Sequence, residues 1–440
     1  MNILISAYSC EPGKGSEPGV GWNIAQEVAK YHDVWVLTRP DESGAIIDAE
    51  LARNPVPNLH VVYFTLPFWK DSMRWGQSGA MQIHYYLWQI QAYFVARRLH
   101  REIGFDLIHH ITFVRHSTPS FLSLLPIPFV WGPVGGGESA PKPFWKDFSL
   151  RAKMYETARA WFRGIGELDP FTRLTVRRSA VVRATTEDTA RRLYKLGATQ
   201  VQVISETGLP DAELLRLSQY ALPDSTSSIK FISMGRLLHW KGFHLGIRAF
   251  AAAELPDAEH WLCGEGPERE RLEALAAELG VGDRVKFFGH LPRQQSLEKL
   301  GECIALVHPS LHDSGGWVCL EAMAASRPVI CLDLGGPAVQ VTDETGFKIP
   351  AHTPEQAVTD LAAAMQRLAT DEASRLQMGR AARYRVEQVF AWERVGRSLA
   401  QLYEETVVQS TVRSQTHDCT SALIHPVNRI ALNDSHVKAK

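Results

Sequence analysis

The sequence predicts an α/β protein built from two doubly wound, Rossmann-like parallel-sheet units in tandem. Three observations predict it: a length of 440 residues, an alternation of short β-branched runs with helical patterns, and a restart of that alternation past the middle of the chain.

The length suits two domains of ordinary size, each with its own core. Apolar residues at 45% and charged residues at 22% give the balance of a globular chain. Lys+Arg 47 against Asp+Glu 48 leaves a net charge of -1. Nothing in that balance calls for nucleic acid, so charge-driven binding must be local. The cysteines (Cys10, Cys263, Cys303, Cys319, Cys331, Cys419) form no C-x-x-C pair and have no histidine at zinc spacing. They read as reduced thiols of a cytoplasmic protein. The N-terminal MNILISAY lacks a basic n-region and reads as a first strand rather than a signal peptide. The apolar stretch Ser120 to Val134 is broken by Pro126, Pro128 and Pro133 and is too short to span a bilayer. Peripheral contact with the inner face of a membrane stays open.

The alternation itself runs Asn2–Ala7, Val34–Thr38, His60–Thr65, Asp106–Ile111, Pro128–Gly132, Ala180–Ala184 and Val201–Ser205. Such β-branched runs separated by helical patterns predict a parallel sheet with crossover helices. The restart comprises Ile229–Gly235, His260–Gly264, Val285–Gly289, Ile304–His308 and Val329–Asp333. The first unit is therefore set at residues 1–208. A connection at 209–228 contains Pro223 and the run Ser225–Ser228, and the second unit covers 229–388. Residues 389–408 place Val395, Leu399 and Leu402 on one helical stripe, and the polar composition of 409–440 predicts a disordered tail. Ligands of open sheets bind outside the carboxyl ends of the strands, so a cleft between two facing sheets is where chemistry is expected.

The second unit carries the densest motifs. In FISMGRLLHWKGFHLGIRAF a strand ends at Gly235, and Arg236 and Lys241 precede a helix N-terminus, an arrangement suited to a diphosphate. Taken alone, it also suits an ordinary surface loop. In HPSLHDSGGWVCLEAMAASRPVICLDLGG, Asp313 lies in a loop, Gly315 and Gly316 permit close backbone approach, and Glu321 lies in the following helix. The amides there suit phosphate, Glu321 suits ribose hydroxyls, and Asp313 would face a sugar. Taken alone, the two carboxylates read more simply as a loop residue and a helix-surface residue.

Five motifs then recur in order: G-R-x4-K-G, W-L-C-G-E-G-P (Trp261–Pro267), F-F-G-H (Phe287–His290), D-x7-E (Asp313–Glu321) and D-L-G-G-P (Asp333–Pro337). Over residues 229 to 405 this order resembles the donor domain of family 4 retaining glycosyltransferases of the GT-B fold. The resemblance implies two facing Rossmann-like domains, with a closing F-x-W-E helix crossing back onto the first. It implies that Arg236 and Lys241 neutralise the diphosphate of a UDP- or GDP-sugar and that Glu321 binds ribose. Gly264, Gly289, Gly315, Gly316, Trp317 and Val318 would line the donor. Asp313 stands where that family usually has Glu, retracting the carboxylate by about 1.5 Å. Gly315 replaces a usual aromatic. The implied chemistry retains configuration, uses the donor as co-substrate, and needs no metal or other cofactor, because two cations stabilise the departing diphosphate. Alternatives are another GT-B enzyme, such as an epimerase, and a non-catalytic sugar-nucleotide-binding relative.

The first unit is expected to bind the acceptor. SCEPGKGSEPGVGWNIAQEVA is a glycine-rich loop opening a helix, with Gly19 and Gly21 the nearest candidates to approach the donor. A purely structural loop is the other reading. DLIHHITFVRHSTPSFL brings Arg115 and His116 to the end of a strand, and PFVWGPVGGGE follows with Glu138. Relatives carry a histidine where Trp131 to Pro133 stand here. His116 would take over its role, or would only cap a helix near Pro119. Arg115 and Glu138 are expected to touch the acceptor. W-G-P-V-G-G-G-E resembles a subgroup linked to exopolysaccharide and lipopolysaccharide assembly. Trp69 to Leu99 is crowded with aromatics including Trp75, and Lys146 to Arg183 holds nine Lys/Arg against four Asp/Glu. Two readings stay open: a basic aromatic surface for a lipid-linked acceptor at an anionic leaflet, or a buried helix with a solvated face.

Overall fold

The structure is a computed structural model that describes residues 1–41, 43–69, 79–205, 207–220 and 229–422. Seven strands form the first sheet: β1 Asn2–Ser6, β2 Asp33–Thr38, β3 Leu59–Tyr63, β4 Leu107–His110, β5 Phe129–Val134, β6 Val181–Ala184 and β7 Val201–Val203. Six form the second: β8 Ile229–Met234, β9 Ala258–Cys263, β10 Val285–Gly289, β11 Ala305–His308, β12 Val329–Leu332 and β13 Gly346–Ile349. The spatial orders are β3-β2-β1-β4-β5-β6-β7 and β10-β9-β8-β11-β12-β13. All pairings are parallel. The chain is thus two Rossmann-like domains, as the alternation predicts. Central strands such as β4, β5, β11 and β12 are buried along their whole length, which is why they read as continuous apolar runs. The sequence reading lacks β13, whose four residues GFKI offer only two strong strand formers between turns.

Each sheet reverses its order next to its first strand, between β1 and β4 and between β8 and β11. The carboxyl ends of those strands open the crevices where such folds take ligands.

Two passages link the domains, and they are bonded to each other. Leu209 N donates to Phe390 O at 2.8 Å, and Trp392 N to Leu209 O at 3.1 Å. The expected connection holds a helix at Asp211–Ser218, while Pro223 and Ser225–Ser228 lie outside the described residues. The closing helix runs Trp392–Ala422 and returns to the first domain. Leu399 and Tyr403 are buried there with Ile3, Val20 and Val34. It continues beyond Val408, where a disordered tail was expected, because residues 409–422 contain neither Pro nor Gly to stop it. Residues 423–440 lie outside the described residues.

The two aromatic stretches part company. Helix Gly79–Ile103 buries Tyr85, Trp88, Ala92 and Ala96 in the first core, so it is a core helix; Trp75 lies outside the described residues. The segment between β5 and β6 behaves differently. Ala140, Phe144, Phe148 and Ala152 belong to the same core as Phe231, Leu245 and Ile330 of the second domain. Helix Leu150–Leu168, started by Ser149 accepting from Ala152 N at 3.2 Å, therefore straps the first domain to the second.

Candidate functional site

The carboxyl ends of β8, β9 and β10 converge through glycines. Gly235 N donates to Cys263 O at 2.9 Å and Gly264 N to Gly289 O at 2.8 Å. Gly264 has φ 149, and a Cβ there would fall 1.9 Å from Gly235 O, so no other residue fits. Beside these ends lies a cleft of about 530 Å³ lined by residues including Arg236, Gly264, His290, Arg293, Val318 and Glu321. Arg236 is exposed and, among the described residues, has no ion pair. Glu321 is its opposite: 4% exposed on helix Trp317–Ala324, it accepts from Arg293 Nη1 at 2.5 Å. Burial pushes its carboxyl up, against the lowering by Arg293. Arg293 also binds Glu213 at 2.7 Å.

Lys241 and Asp313 sit next to the cleft as a pair. Lys241 Nζ lies 2.5 Å from Asp313 Oδ2, and His308 Nε2 donates to the same oxygen at 3.2 Å. The other oxygen, Oδ1, accepts from the N–H groups of Gly315 and Gly316, each at 3.3 Å. Burial alone would raise this carboxyl; the bond from His308 and the charge of Lys241 outweigh it and hold the group well below the usual range. Two of the amides expected to bind phosphate are thus engaged by Asp313, which stands at the anion position of a helix N-terminus. The side chain does not stand free toward a sugar as the sequence reading has it; Lys241 and His308 engage one of its oxygens and the Gly315 and Gly316 amides the other.

From the first domain, the glycine loop after β5 reaches this place: a Cβ on Gly135 would lie 3.6 Å from Ser314 Cβ. Arg115 is exposed beside that loop, paired through its backbone with Gly135. His116 is fully buried, with Nε2 3.1 Å from Glu167 Oε1. Glu167 is lowered to about 2, first by that bond and also by Arg192. His116 therefore holds helix Leu150–Leu168 rather than facing the cleft. Glu138 is also corrected. Its carboxylate is 3% exposed and accepts from Thr186 Oγ1 at 2.8 Å and Thr189 Oγ1 at 2.9 Å, so it anchors the start of helix Glu187–Leu196 and does not face an acceptor. Gly19 and Gly21 are buried in helix Ser16–Val28, where a Cβ would strike Lys14 O and Ser9 O respectively. They let their own loop fold onto the helix and do not line the donor cleft.

The structure thus brings Arg236, Gly264, Val318 and Glu321 to one cleft, with Lys241, Asp313, Gly315, Gly316 and Trp317 beside it. Gly289 closes its rim, 2.8 Å by its would-be Cβ from Glu265 Oε1. The sequence reading missed Arg293 and His308. His308 ends β11, and its place at the carboxyl end of a switch-point strand is the signal that marks it. Among the described residues no group of three or more His, Cys, Asp or Glu could hold a metal ion. Among the same residues no helix is long and apolar enough to cross a membrane.

Residues 221–385 match the family model described as glycosyl transferases group 1. The chain is 34% identical over 226 residues to 2-deoxystreptamine glucosyltransferase of Streptomyces kanamyceticus, covering 48% of this chain and 57% of that protein. It is 38% identical over 144 residues to the lipopolysaccharide core biosynthesis glycosyltransferase LpsD of Rhizobium meliloti, covering 33% of this chain and 40% of that one. The matched region spans about half the length of these curated relatives. Among solved structures, Anabaena Alr3699/HepE in complex with UDP-glucose superposes with a TM-score of 0.53 at 18% identity, over 92% of this chain and 100% of that one. The two-domain architecture is therefore the GT-B fold.

Proposed function

We propose that this chain is a retaining, family 4-like glycosyltransferase that moves a sugar from a nucleoside-diphosphate sugar to a saccharide or lipid-linked saccharide acceptor in cell-surface polysaccharide synthesis. The observation that carries the reading is the cleft beside the carboxyl ends of β8, β9 and β10, whose lining joins Arg236, a cation with no ion pair among the described residues, to a buried carboxylate, Glu321. A cation and a carboxylate on one cleft suit the two ends of a ribose diphosphate. The similarity to two named glycosyltransferases supports sugar transfer, and a structural neighbour that holds UDP-glucose is consistent with a nucleoside-diphosphate sugar as donor.

In this reading Glu321 accepts hydrogen bonds from the ribose hydroxyls. Arg236 and Lys241, with the N–H groups of Trp317 and Val318, neutralise the diphosphate as it departs. Asp313 orients Lys241 beside the diphosphate. No metal is required, because the two cations supply the charge. The acceptor enters from the side of the Gly135–Gly137 loop and Arg115.

A surface for a lipid-linked acceptor is part of this proposal. All four acids of 146–183 have internal partners: Asp147 with Arg248, Glu156 with His239, Glu167 with Arg192, and Asp169 with Tyr86. Arg151, Lys153, Arg177 and Arg178 have no carboxylate partner among the described residues, which leaves the segment an excess of positive charge suited to an anionic leaflet.

The test is donor hydrolysis and calorimetric binding over a panel of UDP- and GDP-sugars. Wild type is expected to turn over one of them. Glu321→Ala should lose that activity, and Arg236→Ala should weaken UDP or GDP binding by about 1.5–3 kcal/mol, the scale of a charged hydrogen bond. Equal activity of Glu321→Ala and wild type would sink the assignment.

A further inference from the structure

Glu156 lies in the strap helix of the first domain, yet its side chain ends among the loops of the second. It is 1% exposed. Its Oε1 accepts from His239 Nε2 at 3.1 Å and from His312 Nε2 at 3.0 Å, and its other oxygen lies 3.7 Å from Arg159 Nη1. His239 stands two residues before Lys241, and His312 immediately before Asp313. One carboxylate oxygen therefore ties together the two loops that present the Lys241–Asp313 pair.

The loops are joined at other points. Leu311 N donates to Trp240 O at 2.8 Å, and Ser310 Oγ to the same oxygen at 3.3 Å. Tyr155, next to Glu156, stacks on Trp240 at 5.3 Å and 8°, and Trp240 stacks on His312 at 5.2 Å and 14°. A continuous pile of rings thus leads from the first-domain helix to the residue before Asp313. Two helix residues, one polar and one aromatic, seat on both loops at once. A buried carboxylate is costly unless bonded, and here its bonds are made across the domain boundary.

We propose that Glu156 is a positioning residue: docked on His239 and His312, it fixes the relative placement of Lys241 and Asp313, so that the donor site of the second domain is completed by a helix of the first. The inference rests on the functional reading for what the pair does, but its geometric content does not. Placement of a charged pair acts on the transition state more than on ground-state binding, because the diphosphate charge develops as the bond breaks.

Hydrogen exchange and donor kinetics together test it on the full chain, with no ligand for the first and UDP- and GDP-sugars for the second. In Glu156→Ala, exchange should rise in segments 236–242 and 308–316 and not across the rest of the second domain. Donor-hydrolysis kcat should fall by about tenfold to a hundredfold with KM nearly unchanged, the scale of an ångström-sized misplacement. Glu156→Gln should restore both, since its amide oxygen can accept the same two N–H groups. Glu156→Asp, shorter by about 1.5 Å, should not; it carries the test if the alanine variant fails to fold. Unchanged exchange in both segments overturns the proposal. So does a fall in kcat that tracks a domain-wide rise in exchange, or a glutamine variant as impaired as the alanine. If wild type hydrolyses no donor while exchange in the two segments still responds to Glu156, the positioning stands and the functional reading falls.

Discussion

At the scale of single residues, the site is a set of charges whose states are fixed by their neighbours. Asp313 makes four contacts within its own surroundings and is held below the ordinary 3.8 of its kind. A carboxyl depressed in the folded state contributes stability that is complete above its unfolded value and is lost as pH falls through the folded one. Glu167, at about 2, adds to the same window. Thermal unfolding midpoints should therefore drop as pH is lowered below about 5. Asp313→Asn should start lower at neutral pH and fall less steeply in acid. Parallel profiles for the two proteins would show that Asp313 is not so held. Legibility at this scale follows the chain. Arg236, Lys241 and Glu321 were readable as neighbours of one cleft because the first two closely follow the end of β8 and the third lies on the helix after β11, all within ordered motifs. Arg293 and Glu156 were not, because their relation to the site is made across 28 and 156 residues of sequence respectively, to Glu321 and to His312. His116 and Glu138 misled for the converse reason: polar residues at strand ends also serve the helices that follow them.

At the scale of elements, strands declared themselves and one helix inverted the usual rule. Helix Leu150–Leu168 turns Glu156 and Arg163 inward and leaves an apolar stripe outward. Leu150, Met154, Trp161, Ile165 and Leu168 lie on that stripe, with Trp161 64% and Leu168 71% exposed. Periodicity reveals that a helix has two faces but not which one is buried, so the sequence left a solvated face and a lipid-facing surface both open. An outward apolar stripe flanked by Arg151 and Lys153 fits the interface of an anionic bilayer. Vesicles of phosphatidylglycerol and phosphatidylcholine should carry wild type upward in flotation, less so at high salt. The double variant Trp161→Glu, Ile165→Glu should remain at the bottom. Its stability should change by only about 0.5 kcal/mol, since the side chains are exposed. Retained flotation of the double variant would remove this helix from the contact.

At the scale of the whole molecule, the domain boundary of the chain and that of the packing do not coincide. Residues 140–152 are encoded between two strands of the first sheet, but their side chains complete the core of the second. Asp147 adds an ion pair with Arg248 at 3.0 Å, and Thr207 of the linking passage donates to Gly315 O at 3.1 Å. The two-domain plan was legible because each sheet repeats a local pattern. The interpenetration was not, because packing at long sequence separation leaves no periodic trace. It has a thermodynamic consequence. Domains joined only by linkers can melt separately, whereas a shared core couples them. Wild type should unfold in urea with coincident transitions by tryptophan fluorescence and far-ultraviolet dichroism. Phe144, fully buried in the second-domain core, is the probe: Phe144→Ala should cost about 3–5 kcal/mol and split the transition, because it loosens the strap's anchor in the second-domain core and leaves the first-domain core intact. Separate transitions already in wild type would mean that the strap docks without coupling the domains. The helix that seats Glu156 would then be free to leave the donor site while both sheets stay folded.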